Sequence, residues 1–191
     1  MAFSPDSLRY YSGVLPDGEP DNLLFFADIA WGGGDSCSVP FAYVYGGDVY
    51  IHDVLFDRGD KFVTKPRMVG KIIANKVRMG RGEANNGGDE YIDDIGSMLR
   101  EKGYSCNLGH KKAPSNMSKL SRIEQHAPVI RTFYFRDDKH RDAEYRRFMN
   151  ELTSFSFTAK NLHDDAADSL AGLVDYFSNG ISKAQVFTRP F

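Results

Sequence analysis

The feature that most constrains the fold of this chain is a succession of three strand patterns, followed by alternating helix and strand patterns. Residues 22–31 form an apolar run that ends at three consecutive glycines. Residues 39–45 and 49–56 flank a short Gly-rich turn of the kind that joins antiparallel strands. The chain is therefore predicted to open with an antiparallel three-stranded unit.

Downstream of this unit, the period of the apolar residues changes. Helix patterns cover residues 64–75, 90–102, 116–126, 142–155 and 164–177, and strand patterns cover residues 76–83, 104–108 and 129–135. We therefore predict an α/β fold, with a mixed β-sheet of three antiparallel strands followed by αβ units and flanked by helices. Residues 22–180 are predicted to form the domain, preceded by an extended lead-in or linker at 1–21, which has room for a helical turn near residues 7–11, and followed by a tail at 181–191.

Composition excludes several classes of protein. The 191 residues suit one domain. The absence of a long apolar run or a signal-peptide pattern favours a soluble, intracellular protein without a membrane partner. Cys37 and Cys106 are too few and too far apart for a CxxC metal site or a disulfide framework. No GxxxxGK[ST] motif occurs, so we expect no ATPase activity from this chain.

Charge is distributed unevenly along the sequence. Residues 58–147 hold 20 Lys and Arg against 12 Asp and Glu, whereas the flanks hold 4 basic and 14 acidic residues. A basic middle and acidic flanks suggest a phosphate-facing surface beside an acidic cluster, although both could also be solvated faces. The basic residues singled out for nucleic-acid binding are Lys111 and Lys112 in a flexible loop, with Lys119 and Arg122 after them.

Acidic residues occupy positions that a purely structural role explains poorly. Asp28 shares a strand face with Leu24 and Phe26, so its carboxylate needs a partner, unless it lies beyond the buried part and caps the turn. Glu83 ends a strand before a Gly-rich loop, where ligands collect in α/β sheets, although it could also cap the next helix.

A third acidic group marks the start of the last predicted helix. Asp164, Asp165 and Asp168 follow His163, and the small residues Ala166, Ala167 and Ala171 allow this helix to approach the sheet closely. The alternative is one capping residue with two solvated acids. Three separated acids of this kind suit two Mg²⁺ or Mn²⁺ ions, which prefer oxygen ligands and together can drive phosphodiester hydrolysis.

Three segments, FADIAWGGGDSCS, GRGEANNGGDEYIDDI and HDDAADSLAGLVDYF, resemble in this order the C-terminal nuclease domain of the large terminase subunit of tailed bacteriophages. The resemblance covers about residues 22–178. It implies an RNase H-like fold and a metal-dependent endonuclease that cuts double-stranded concatemeric viral DNA, with little sequence specificity, during genome packaging. Its implied partners are the packaging ATPase domain of the same full-length protein, the portal and the small terminase subunit. It implies action in the cytoplasm of the infected bacterium and absence from the mature virion.

The resemblance also assigns site residues. It implies catalytic metal ligands at Asp28, Glu83 and Asp165, with Asp164 as a second candidate and Asp168 as a ligand or an outer support. His163 is either an auxiliary residue that orients water or an ordinary surface histidine. Two other functions stay open: another RNase H-like strand cutter, of the Holliday-junction resolvase or transposase type, and a DNA-packaging module without catalytic activity.

Overall fold

The computed structural model describes residues 1–30, 34–84 and 87–179. Its strands are β1 (Arg9–Tyr11), β2 (Asn22–Ala27), β3 (Cys37–Tyr45), β4 (Asp48–Asp57), β5 (Met79–Glu83), β6 (Asn107–Lys111) and β7 (Tyr134–Arg136). Its α-helices are α1 (Lys61–Ala74), α2 (Gly88–Glu101), α3 (Lys119–Ile130), α4 (Ala143–Ser154) and α5 (Asp165–Asn179). Short 3₁₀ helices cover Pro5–Ser7 and Asp138–His140.

The seven strands form one mixed sheet in the order β1-β7-β4-β3-β2-β5-β6. β2, β3 and β4 pair antiparallel, whereas β5 pairs parallel with both β2 and β6. β7 lies parallel to both β4 and β1. The predicted α/β class, with an antiparallel opening followed by αβ units, is therefore confirmed.

The strand register brings several strand termini to one edge of the sheet. Asp57 at the end of β4 pairs with Cys37 at the start of β3, and an isolated bridge joins Asp28 to the same strand. Ala27 pairs with the residue before Glu83, and Glu83 pairs with Lys111 at the end of β6. We call this line of termini the site edge. Residues far apart in sequence become neighbours there because the crossover connections return the chain to the same edge.

Helices cover both faces of the sheet. α1 and α2 pack on one face over a core that includes Phe25 and Ala27, whereas α3, α4 and α5 pack on the other over a core that includes Leu24 and Phe26. The alternation along β2 therefore points Asp28 toward the face that carries α3 and α5, as its sequence position predicts.

Helix α5 lies unusually close to the sheet because its inner face carries small residues. Ala166, Ala167 and Ala171 are buried, and a Cβ atom built on Gly172 would lie 2.1 Å from a ring carbon of Phe26. The Ser169 hydroxyl also lies 2.8 Å from the Ser38 hydroxyl of β3. This approach carries the acidic start of α5 to the site edge.

One predicted strand and the predicted lead-in differ from the structure. The strand predicted at 129–135 is mostly wrong, since α3 continues to Ile130 and β7 holds only Tyr134–Arg136. The helical face formed by Ile123, Ala127 and Ile130 is buried, and this packing outweighs the strand preference of the apolar run.

The lead-in is more ordered than its composition predicts. Arg9–Tyr11 form β1 beside β7 instead of a helical turn, and Phe3 is fully buried. The predicted tail at 181–191 lies outside the described residues, as do Trp31 and the first two glycines of the predicted turn after the first strand. Within the described residues, no helix combines the length and hydropathy needed to cross a membrane.

Candidate functional site

Three carboxylates from separate elements meet at the site edge. Asp28 follows β2, Glu83 ends β5, and Asp168 lies in the first turn of α5. Arg122 of α3 joins two of them, since its Nη1 lies 3.0 Å from Glu83 Oε2 and its Nη2 binds Asp168 Oδ1. We call Asp28, Glu83 and Asp168 the acidic cluster.

Lys119, one turn before Arg122, supplies the second positive charge. Its Nζ lies 3.0 Å from Asp168 Oδ2, 2.7 Å from Asp164 Oδ1 and 4.0 Å from Asp28 Oδ2. Burial by itself lowers the pKa of Lys119 and of Arg122, but the neighbouring carboxylates raise both pKa values above their ordinary levels. Both side chains therefore remain charged counter-ions of the acids.

The backbone fixes Asp28 in position. Its N–H donates to the Ser38 carbonyl at 2.9 Å, and the Ser38 N–H donates to the Asp28 carbonyl at 2.9 Å. The side chain is only 17% exposed. Burial raises the pKa of Asp28 well above its usual value, and the Asp168 carboxylate raises it further, whereas Lys119 opposes the shift. Burial therefore disfavours the ionised form of Asp28 more than any charged neighbour does.

Asp165 points to a different part of the site. Its Oδ2 accepts a hydrogen bond from the Ser36 N–H at 2.7 Å. Burial raises its pKa to about 6, although the hydrogen bond from Ser36 acts in the opposite direction. Asp165, Asp35 and His163 each offer a ligand atom, and these atoms lie within 4.8 Å of one another. His163 Nδ1 is buried and has no hydrogen-bond partner among the described residues.

The start of α5 thus directs its three acids to two places. Asp164 and Asp168 approach Lys119, and Asp165 approaches the segment before β3. Sequence reasoning did not single out Asp35 or Ser36. The available signal was the predicted antiparallel pairing of the first two strands, which places the residues before β3 at the edge where β2 ends.

The predicted basic residues occupy two kinds of environment. Lys111 and Lys112 are exposed and line a small pocket together with Glu83, because β6 ends beside β5. Arg122 is buried, and Lys119 is 40% exposed; both lie against the acids. The acidic and basic residues lie in separate parts of the sequence. In the structure, Lys119 and Arg122 lie among the acidic side chains.

The donor set at the site edge suits hard divalent cations. With Asp164 included, the acidic cluster offers four carboxyl groups beside the two cations Lys119 and Arg122, so the acidic groups outnumber the basic groups that contact them. Carboxylate oxygens are the ligands that Mg²⁺ and Mn²⁺ prefer. Burial is the main cause of the raised pKa of Asp28, and a bound divalent cation would favour its ionised form.

The chain is similar to known proteins in structure but not in sequence. No protein-family model matches the chain, and no curated protein matches its sequence. The human cytomegalovirus terminase nuclease domain, in a manganese-soaked and inhibitor-bound structure, is similar at a TM-score of 0.65 and 12% identity, over 95% of this chain and 96% of that one.

Two bacteriophage structures are similar as well. The large terminase of the thermophilic bacteriophage D6E with ADP has a TM-score of 0.60 at 11% identity, over 93% of this chain, which spans only 44% of that protein's length. A mutant nuclease domain of the large terminase subunit gp2 of bacterial virus Sf6, with manganese and β-thujaplicinol, has a TM-score of 0.54 at 10% identity, over 81% of this chain and 88% of that one. This chain therefore has the RNase H-like fold of the nuclease domains of terminase large subunits.

Proposed function

We propose that this chain is a metal-dependent endonuclease of the terminase type, which cuts double-stranded viral DNA during genome packaging with little sequence specificity. The observation that carries the proposal is the convergence of carboxylates from β2, β5 and α5 at the site edge. The fold shared with terminase nuclease domains, two of them in structures with manganese, supports the same conclusion.

The proposed ligands of two Mg²⁺ or Mn²⁺ ions are acids of the site edge. Asp28 is proposed as the shared ligand, with Glu83 and Asp165 each contributing to one ion, and Asp164 and Asp168 as further ligands or supports. Bound ions of this kind lower the pKa of water and stabilise the charge that develops on a phosphodiester under attack. His163, beside these acids, is proposed to orient a water molecule.

The proposed reaction is hydrolysis of a phosphodiester bond. A water oxygen bonds to phosphorus as the bond between phosphorus and the 3′ oxygen breaks, and no side-chain nucleophile is required. The water loses a proton and the 3′ oxygen gains one, so the products are a 5′-phosphate and a 3′-hydroxyl. Lys119 and Arg122 form ion pairs with the acids. Divalent ions held by the carboxylates would release these two side chains to bind the phosphate, alongside Lys111 and Lys112.

Further expectations follow from the likeness to large terminases. We propose that a packaging ATPase domain belongs to the same full-length protein, and that the portal and the small terminase subunit are further partners. We also propose that the protein acts in the cytoplasm of an infected bacterium and is absent from the mature virion.

Plasmid cleavage tests the proposed function. The chain is incubated with supercoiled plasmid in Mn²⁺, Mg²⁺ or EDTA, and nicked and linear products are measured. We expect metal-dependent cleavage that Asp28→Asn and Asp165→Asn abolish. Asp93→Asn, an exposed acid on α2, serves as the matched control and should cleave normally.

Calorimetric titration with Mn²⁺ supplies a second measurement. We expect Asp28→Asn to bind the ion far more weakly than the unmodified chain, because the substitution removes a shared ligand. Undiminished cleavage by folded Asp28→Asn contradicts the proposed site. Absence of cleavage by the folded chain in every metal favours a packaging module without catalytic activity.

A further inference from the structure

A second basic surface borders the site edge, at the end opposite Lys111 and Lys112. Arg58 directly follows β4, Arg147 lies on α4, and Lys160 lies in the loop before α5. All three residues are exposed. They line one cleft of about 670 Å³, which we call the basic cleft.

The positive charges of the basic cleft have no salt-bridge partner within the described residues. None of the three forms an ion pair there, and Arg147 only donates to the Phe56 carbonyl at 3.3 Å. The two acids that line the cleft also have partners outside it, and Glu151 interacts electrostatically with Arg58 without forming a salt bridge. Asp57 pairs with Arg67, which lies outside the cleft, and Glu151 accepts a hydrogen bond from the Ala166 N–H at 2.9 Å. The three cations are therefore available to an anionic ligand from solution.

The basic cleft opens onto the proposed catalytic acids. Ser36 and His163 are part of its lining. The Ser36 N–H donates to Asp165, and His163 Nδ1 lies 3.8 Å from Asp35 Oδ1. A polyanion that fills the cleft therefore continues directly past Asp165 into the site.

The spacing along the site edge suits a nucleic-acid backbone. Four strand-to-strand steps separate the end of β4, beside Arg58, from the end of β6, beside Lys111. At about 4.8 Å per step the distance is roughly 19 Å. A DNA strand rises about 3.4 Å per nucleotide, so this distance spans about five to six nucleotides. The acidic cluster lies between the two basic ends.

The residues that line the basic cleft also favour duplex DNA over single-stranded DNA as its ligand. Surfaces that bind single strands combine positive charge with exposed aromatic rings on which bases stack. Among the described residues that line the cleft, Phe56 is the one Phe, Tyr or Trp, and it is only 5% exposed. Charge without a stacking surface is typical of contacts with the backbone of a duplex.

We propose that the basic cleft binds the phosphate backbone of duplex DNA on one side of the acidic cluster, opposite Lys111 and Lys112, so that both sides of the bond to be cut are held. This inference rests on the proposed nuclease function and adds the surface that positions its substrate.

Fluorescence anisotropy with a labelled DNA duplex of about 30 base pairs tests the proposal. Binding is measured in an Asp28→Asn background with Mg²⁺, across a series of salt concentrations. The test variant carries Arg58→Gln and Lys160→Gln, and its matched control carries Lys76→Gln and Lys102→Gln. The two control lysines are exposed and lie at the opposite edge of the sheet.

We expect the test variant to bind roughly 10-fold or more weakly at about 0.1 M salt, with a log–log salt slope reduced by about 2, since each phosphate contact contributes about 0.9. The control should match the parent. The charge-preserving variant Arg58→Lys/Lys160→Arg should retain the parent slope, which separates loss of charge from loss of folding.

Equal loss of affinity in the test and control variants overturns the proposal, as does a parent that binds no duplex. Single-stranded DNA or RNA of equal length, if bound more tightly through Arg58 and Lys160, overturns the assignment to duplex DNA. The plasmid assay keeps the two hypotheses apart. Loss of binding without any nuclease activity supports the cleft and contradicts the enzyme, whereas cleavage with unchanged binding contradicts the cleft alone.

Discussion

The ion pairs of Arg122 lead to a quantitative prediction about stability without metal. The Arg122 side chain is 7% exposed and binds both Glu83 and Asp168, and the Asp168 side chain is 3% exposed. Replacing Arg122 by Met retains most of the apolar contact but leaves buried carboxylates with less positive charge. Removing one partner from a buried ion pair costs about 3–5 kcal/mol. We expect a loss of this size in the free energy of unfolding of Arg122→Met.

Urea unfolding followed by circular dichroism in EDTA measures this loss. Arg78→Met is the matched control, because Arg78 is exposed and donates only to the Ser105 carbonyl while lying over Tyr104. Substitutions at such surface positions change stability by about 0.5 kcal/mol. A loss below about 1 kcal/mol in Arg122→Met would refute the reasoning that this guanidinium compensates buried negative charge.

Adding Mn²⁺ extends the same experiment. A ligand that binds only the folded state stabilises it by about 4 kcal/mol at a thousandfold excess over its Kd. At the proposed metal site, a divalent ion would compete with Arg122 for Glu83 and Asp168 in the unmodified chain, whereas in Arg122→Met this competitor is absent. We therefore expect Mn²⁺ to raise the stability of the variant more than that of the unmodified chain. Equal stabilisation of both proteins contradicts the competition.

Three further predictions concern other parts of the molecule. Lys111→Ala/Lys112→Ala should reduce the salt slope of duplex binding by about 2, as anisotropy can measure, and an unchanged slope removes both residues from the DNA surface. Burial and a neighbouring guanidinium lower the pKa of His52 from 6.5 to about 4, so the unfolded chain takes up its proton first. Stability should thus fall by about 1–2 kcal/mol as pH drops from 6.5 to 4, and His52→Asn should lose this part of the dependence in urea titrations at each pH. Gly172→Ala should destabilise the fold by about 1–3 kcal/mol, because its added methyl group meets the Phe26 ring; a melting temperature equal to that of the unmodified chain would contradict the close approach of α5.

Much of the fold could be predicted because the relevant signals are local. The antiparallel opening follows from period-two apolar runs around Gly46 and Gly47, and α1, α2, α4 and α5 follow from their apolar stripes. The boundary between α3 and the strand after it could not be predicted from neighbouring residues alone. Ile130 continues the buried face of a helix, although the residues around it favour a strand.

The residues of the candidate site were also only partly predictable from the sequence. Asp28 could be singled out because it interrupts an apolar strand pattern, and Glu83 because it ends a strand before a Gly-rich loop. Their strands lie side by side in the sheet. The choice among the acids of α5 could not be made from the sequence. Helical spacing allows several of them to face the sheet, and only packing directs Asp168 toward Arg122 and Asp165 toward Ser36.

The sequence by itself determined the α/β class, most of the helices and strands, and the positions of the acidic residues relative to the strand ends and the start of α5. Tertiary structure alone decided which charges meet. Lys119 and Arg122, considered in sequence only as DNA-binding residues, are counter-ions of the acidic cluster in the folded chain. The physical reason is that hydrophobic patterning specifies faces and edges over a few residues. Ion pairing depends instead on ångström-scale distances between helices and strands, and these distances are set by packing of the whole domain, including the close approach of α5 at Gly172.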